Sequence, residues 1–181
     1  PSTASYQLFD GLGRPIRSLT QTGASTYAAR DTVYGVMGRV ASSSLPFTYS
    51  STPNSYTAPL APTNSLTTFG YDKLGRAISA VTVLGTETTT YSGNARTVTD
   101  VQSKSHTYTA DGHGRLVAVQ ENIGGSAFNT LYLYDAADRL TKITDAEGNV
   151  RSIAYDGRGL RTALEDVHAS ADTSFGTTTF T

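Results

Sequence analysis

The chain has 181 residues, no cysteine and a net charge of −1, its 14 basic and 15 acidic residues scattered rather than grouped in blocks. This length suits one ordinary domain or a short repeat array, and the balanced charge argues against a nucleic-acid groove or a polybasic membrane patch. Without cysteine there is no disulfide framework and no thiolate chemistry, and no apolar run approaches the roughly twenty residues of a membrane-spanning helix.

The chain opens Pro1-Ser2-Thr3, with neither an initiator Met nor a basic-then-apolar leader, and reads as a piece of something longer. The first strong local signal is Phe9-Asp10-Gly11-Leu12-Gly13-Arg14. Asp at the first position of a type I turn and Gly at the fourth satisfy the turn chemistry: the carboxylate bonds N–H groups inside the turn, and Gly accepts positive φ. The flanking runs are rich in Thr, Val, Ile, Leu and Tyr, so the phrase predicts a β-hairpin, the aromatic ending one strand and Arg starting the next.

The phrase returns in altered form at Tyr34-Gly35-Val36-Met37-Gly38-Arg39. The segment that follows breaks the rhythm. It has no charged residue from Val40 to Tyr71 and contains Pro46, Pro53, Pro59 and Pro62. Residues 41–66 therefore read as an extended Ser/Thr/Pro-rich insertion and not as central strands. Its Leu45, Phe47, Tyr49, Tyr56 and Leu60 are apolar enough to pack across a sheet, and an exposed linker is the other reading.

A full copy follows at Tyr71-Asp72-Lys73-Leu74-Gly75-Arg76, with variants at Asp111 to Gly114 and Arg115, at Tyr134, Asp135 and Arg139, and at Tyr155, Asp156 and Gly159. From Asp111 the turn signals continue at Asn122, Asp135, Asp145 and Asp156, at intervals of 11, 13, 10 and 11 residues. This is the spacing of an antiparallel meander with alternate turns on opposite edges. Helical signals are thin. Residues 160–169 have the composition of a short helix, but the neighbouring turns favour strand.

Six copies of an aromatic-Asp-x-x-Gly-Arg phrase, followed by Thr-rich strands, resemble the YD repeats of the Rhs (rearrangement hotspot) family. Supporting runs are Thr97-Val98-Thr99-Asp100 and Ile143-Thr144-Asp145-Ala146-Glu147-Gly148-Asn149. The family includes bacterial polymorphic toxins, the B and C components of insecticidal toxin complexes, wall-associated proteins and teneurins. The resemblance implies an all-β fold of antiparallel hairpin repeats in a curved single-layer sheet, part of a spiralling shell over residues 1–181, with no separate catalytic domain. In the toxins the shell encloses a C-terminal effector; in teneurins it supports adhesion. The copies at 34, 110, 134 and 155 each replace one motif residue or more. The family's Asp-Pro-x-Gly-rich core-terminating motif does not occur here.

Other chemistries are weaker in the residues. Asp10, Asp72, Asp111, Asp135, Asp145 and Asp156 could be imagined as paired acids for glycoside hydrolysis, but an active site is used once and a turn many times. Arg14, Arg39, Arg76, Arg115 and Arg139 are placed to pair with the turn Asp or to cover aromatic faces. His106, His113 and His168 lack the converging partners of a metal site. Residues 145–149 lack the ligand series of a calcium loop, and Gly11-x-Gly13 and Gly112-x-Gly114 lack the helix and Gly-Lys-Ser/Thr of a phosphate loop. Tyr132 and Tyr134 share a strand face, where packing is favoured over sugar stacking.

The expectation is a non-enzymatic shell segment with no catalytic, cofactor or metal residues. Its partners would be the remainder of a parent shell and an enclosed effector. The alternative is a cell-surface adhesion or carbohydrate-binding fragment whose partner is a surface glycan or protein. Family resemblance alone implies a secreted or cell-surface bacterial location. Open sheet edges predict self-association.

Overall fold

The structure, a computed structural model, describes residues 3–50 and 61–180. Two compact units divide the chain, Pro1–Thr88 and Thr89–Thr181. All regular structure among the described residues is antiparallel β, apart from a single 3-10 turn at Thr63–Ser65.

The first unit contains β1 (Ser5–Phe9), β2 (Pro15–Gln21), β3 (Tyr27–Tyr34), β4 (Val40–Ser44), β5 (Phe47–Tyr49), β6 (Leu66–Tyr71), β7 (Ala77–Thr82) and β8 (Gly85–Ser92), the last crossing the division. Strands β1, β2 and β3 pair in chain order. β3 then changes partner along its length: Tyr27–Ala29 pair with β5, and Thr32–Tyr34 pair with β4. β4 in turn pairs with β6, and β6 with β7.

Ala41 to Ser44, which the composition assigns to the insertion, are therefore a paired strand with a neighbour on each side. Phe47–Tyr49 form a further short strand. The chain is extended and proline-free up to Pro46, so nothing removes a ladder donor before that point. Tyr49 is buried and Phe47 half-buried, while Leu45 is exposed. Tyr56 and Leu60, and with them Pro53 and Pro59, lie outside the described residues.

The apolar core is small and local. Leu19, Tyr27, Ala29 and Tyr49 form one buried cluster, with Leu8 and Phe47 packed against it. They come from alternate positions of β1, β2, β3 and β5, the two-residue period putting them on one face. Tyr27 meets Tyr6 edge-on, with centroids 5.9 Å apart, and Tyr49 at a tilt, 6.5 Å apart. On the same face the ladder places Arg17 opposite Asp31. Their side chains are 0% and 1% exposed and joined by two hydrogen bonds, of 2.5 and 2.7 Å. The pair lies beside the fork of β3, where the N–H of Asp31 donates to Ser44 Oγ at 2.9 Å instead of to a ladder carbonyl.

The second unit holds β9 (Ala95–Thr99), β10 (Ser105–Ala110), β11 (Leu116–Ile123), β12 (Ser126–Tyr134), β13 (Leu140–Thr144), β14 (Asn149–Tyr155), β15 (Arg161–Glu165), β16 (His168–Ala169) and β17 (Thr177–Thr179). β9 to β14 form an antiparallel meander, each strand pairing with the next. β14 continues the order to β15 and also pairs with β16, and β15 pairs with β17. Residues 161–165 are strand, as the neighbouring turns require.

Candidate functional site

The recurrent turn has one construction wherever its Asp is present. In 10–14 the N–H of Asp10 donates to the carbonyl of Arg14 (2.9 Å) and the N–H of Gly13 to that of Asp10 (3.0 Å). Asp10 Oδ1 accepts the N–H groups of Leu12 and Arg14, and Oδ2 accepts Arg14 Nε at 2.7 Å. The 72–76, 111–115 and 135–139 turns repeat all of this, with the Arg Nε at 2.7 Å from the carboxylate each time. One carboxylate thus satisfies two turn N–H groups and fixes the Arg that follows. Just before each of these turns the ladder slips register, at Leu8/Phe9, Gly70/Tyr71, Thr109/Ala110 and Leu133/Tyr134. Such a bulge bends and twists the hairpin.

The variants show what each motif position supplies. Gly35 stands where Asp would be: the 35–39 turn keeps its backbone bonds but has no carboxylate. At 156–160 Asp156 keeps the N–H bonds, to Arg158 and Leu160, while Leu160 replaces the Arg. Asp138 replaces Gly and adopts φ 62°, a region an acid side chain tolerates better than most. Its carboxylate accepts Arg115 Nη1 at 2.7 Å. A further turn, Asp100 to Lys104, has the same Asp bonds, with Ser103 at φ 63° in the Gly position. Sequence reasoning passed over that turn because its Gly is absent; Asp with a cation four residues later is the signal that remains.

These bonds hold the acids ionised. The Arg115 side chain, outweighing partial burial, lowers Asp111 from 3.8 to about 2, and Asp111 reciprocally raises Arg115. Asp10 is lowered chiefly by the Arg14 side chain, Asp145 by that of Asn149, Asp135 by the N–H of Arg139 and Asp156 by the N–H of Leu160. At Asp72 burial acts upward, but the Arg76 bonds together outweigh it.

The Arg that closes each of these turns reaches the next hairpin. Arg14 Cζ lies 4.4 Å from the ring centroid of Tyr34, Arg39 5.6 Å from Tyr71, Arg115 5.1 Å from Tyr134 and Arg139 5.0 Å from Tyr155. Each of these tyrosines donates its hydroxyl to the carbonyl of the residue after that Arg. Tyr34 bonds Pro15 (3.1 Å), Tyr71 Val40 (2.9 Å), Tyr134 Leu116 (2.8 Å) and Tyr155 Leu140 (3.0 Å). The guanidinium also touches the next turn: Arg115 Nη1 donates to the carbonyl of Asp135 and Arg139 Nη1 to that of Asp156. The motif Asp, Arg and Tyr residues then have partners in their own turn or in the adjoining repeat, and the linkage has a direction, each of these Arg residues receiving the aromatic of the following hairpin. Arg161 over Phe180, at 5.1 Å, continues the pattern one residue out of phase.

The other candidate residues stay apart. His106 Nε2 lies 3.3 Å from Glu121, His113 is at a turn tip, and His168 stacks on Phe175 with centroids 3.7 Å apart. No group of three metal-ligating side chains converges among the described residues. A depression of about 170 Å³ beside the 35–39 turn is lined by Val36, Met37, Arg39, Phe69 and Tyr71 with Gly35 and Ala41, and contains no acid or histidine.

Comparison with known proteins agrees with this geometry. The RHS Repeat family profile matches residues 110–150 and again 134–170, so this part of the chain is similar to RHS repeats. No curated protein sequence matches it. Among solved structures it is similar to TcdB2-TccC3 (TM-score 0.65, 12% identity, 94% of this chain and 13% of that one) and to TcdB2-TccC3-Cdc42 (TM-score 0.63, 12% identity, the same coverage). A Photorhabdus luminescens Tc holotoxin pore is also similar, with TM-score 0.60, 12% identity, and coverage of 94% of this chain and 13% of that one. At this identity the likeness is one of fold, and the chain spans about an eighth of the length of those it matches.

Proposed function

We propose that this RHS-repeat chain is a non-enzymatic stretch of wall, a structural segment of a shell that encloses or presents an effector carried elsewhere in the assembly. The observation that carries the reading is the interlock. The motif Asp, Gly, Arg and Tyr residues are engaged in closing turns and joining hairpins, which leaves the most repeated residues of the chain no part in chemistry. The fold likeness to TcdB2-TccC3 supports the same role. Its partners would be the rest of the shell and the effector, with export to the medium or cell surface of a bacterium following from that role.

An adhesive or carbohydrate-binding role is the alternative. Stacking a sugar needs an open ring face, and one face each of Tyr34, Tyr71, Tyr134 and Tyr155 is covered by a guanidinium.

Limited proteolysis of the full-length natural protein tests the enclosure reading. The effector region should resist cleavage while the wall is folded, and should be cut at least about tenfold faster once Arg115→Gln and Arg139→Gln loosen the wall. Equal cleavage rates with the wall intact and loosened would overturn it.

A further inference from the structure

Gly35 gives the 35–39 turn no carboxylate, yet the backbone around it is that of the acidic turns. Its closing bonds, from the N–H of Gly35 to the carbonyl of Arg39 and from the N–H of Gly38 to that of Gly35, are 2.8 and 2.9 Å long. Gly38 has φ 74°, against 75° at Gly13. The ladder slips register just before this turn too, at Val33/Tyr34. In the turns that start at Asp10, Asp72, Asp111 and Asp135, the N–H groups two and four residues on converge on Oδ1 at 2.9–3.0 Å. The Arg Nε of each meets Oδ2 at 2.7 Å. The corresponding donors here are the N–H of Met37, the N–H of Arg39 and the Arg39 guanidinium. Among the described residues neither N–H has an acceptor, and Arg39 forms no ion pair.

A second observation is where Arg39 lies. Arg14 and Arg139, which carboxylates hold, keep Nη1 3.5 and 3.9 Å from the place of a Cβ on the next turn's glycine, Gly38 or Gly159. Arg39 has no such tether and presses closer to Gly75, with Cζ 2.7 Å from the same point. It is also farther from its tyrosine, at 5.6 Å, than Arg14, Arg115 or Arg139. The depression of about 170 Å³ beside it is walled by Val36, Met37, Phe69 and Tyr71, with Arg39 the one charged residue of its lining. An apolar space of roughly 150 Å³ takes up a six-carbon ring.

We propose that the 35–39 turn, with the depression beside it, binds a carboxylate carried on a short apolar chain. One oxygen takes the N–H groups of Met37 and Arg39, the other takes the Arg39 guanidinium, and the chain lies against Val36, Phe69 and Tyr71. Hydrogen bonds to an ionised acceptor are about twice as strong as neutral ones. The equivalent donors hold Asp111 ionised, the Arg115 side chain foremost in lowering it to about 2. A free aliphatic acid and the C-terminal residue of a peptide share this chemistry. Inorganic phosphate fits worse, since it has no apolar body to place in the depression. The site stands on the turn's own donors, so it holds whether or not the wall encloses an effector.

Gly35→Asp would supply the carboxylate from within. Gly35 is not at positive φ, and an added Cβ meets only the Arg39 carbonyl oxygen at 3.8 Å and Ala41 Cβ at 3.9 Å, so the turn accepts the change. The test is nuclear magnetic resonance titration of the intact, isotope-labelled chain with hexanoate, N-acetyl-leucine, acetate and hexanamide at constant ionic strength. Hexanoate and N-acetyl-leucine should move the Met37 and Arg39 N–H signals saturably, at least about tenfold more tightly than acetate, which buries no chain. The tighter of the two identifies the source of the ligand, and hexanamide should leave the signals in place. In Gly35→Asp those signals should already stand near their bound positions, with hexanoate affinity at least about tenfold lower and the thermal midpoint equal or higher. Arg39→Gln, which leaves the turn backbone intact, should weaken hexanoate about fivefold. Unmoved signals, an equal response to hexanamide, undiminished binding in Gly35→Asp, or acetate binding as tightly as the longer acids would each overturn the proposal.

Discussion

At the scale of single residues, the motif glycines divide into two kinds. All of Gly13, Gly38, Gly75, Gly114 and Gly159 lie at positive φ, where a Cβ costs roughly 1–2 kcal/mol whatever surrounds it. Gly114 has open space beside it, with nothing within 4 Å of an added Cβ. Gly75 faces the guanidinium of Arg39, whose Cζ would lie 2.7 Å from that atom. Gly114→Ala is therefore expected to cost about 1–2 kcal/mol. Gly75→Ala should cost more, because the Cβ also drives Arg39 off Tyr71. Denaturant unfolding of the two variants measures the difference, and equal costs would refute the idea that the motif glycine seats the neighbouring repeat's Arg.

Among the elements of the first unit, β3 has an edge that two partners share, and its fork is held by the buried Arg17–Asp31 pair. Removing one member of a buried pair strands the other charge, so Arg17→Met or Asp31→Leu alone should cost about 3–5 kcal/mol. The double substitution should cost less than the sum of the two, as expected for directly coupled residues. Additive losses in a double-mutant cycle would show that the pair is not a coupled unit. The fork is also where sequence reading ended. The turns were legible because their bonds are local: an Asp and its Arg four residues on reveal themselves in any short window. The tyrosine hydroxyl bonds span 15 to 31 residues, so only the choice of residue types hinted at them. Val40–Ser44 has a serine-rich sequence with weak strand preference, and its two neighbours, not its composition, make it a strand. Ser103 occupies glycine's conformation with a side chain that seldom adopts it, which hid its turn, whereas the 135–139 turn was legible without its Gly because Tyr134, Asp135 and Arg139 remain.

For the whole molecule, stability is tied to acidity through the repeated carboxylates. Asp10, Asp72, Asp111, Asp135, Asp145 and Asp156 are all lowered in the folded state. A lowered acid stabilises fully above its unfolded value, 3.8, and loses that contribution as pH falls through its folded value, about 2 for Asp111. The thermal midpoint should hold steady near neutrality and fall between about pH 4 and pH 2. Asp111→Asn should blunt the fall, and a midpoint unchanged down to about pH 2 would contradict the assignment.

The two ends of the strands differ in one further respect. Within the first unit the turns at 10–14, 35–39 and 72–76 occupy one end of the antiparallel strands, while the connections at 22–26 and 83–84 and the paired Ser44 and Leu66 lie at the other. In the second unit the opposite end carries Lys104 and Asn149 where the first end carries Arg115 and Arg139. A residue gained or lost in an Arg-bearing turn would shift a guanidinium away from its tyrosine and unfasten two repeats together. A residue gained at the other end alters only one loop. New sequence thus has a permitted side on which to accumulate, so a sheet of this kind can diversify along one margin while the other stays in phase.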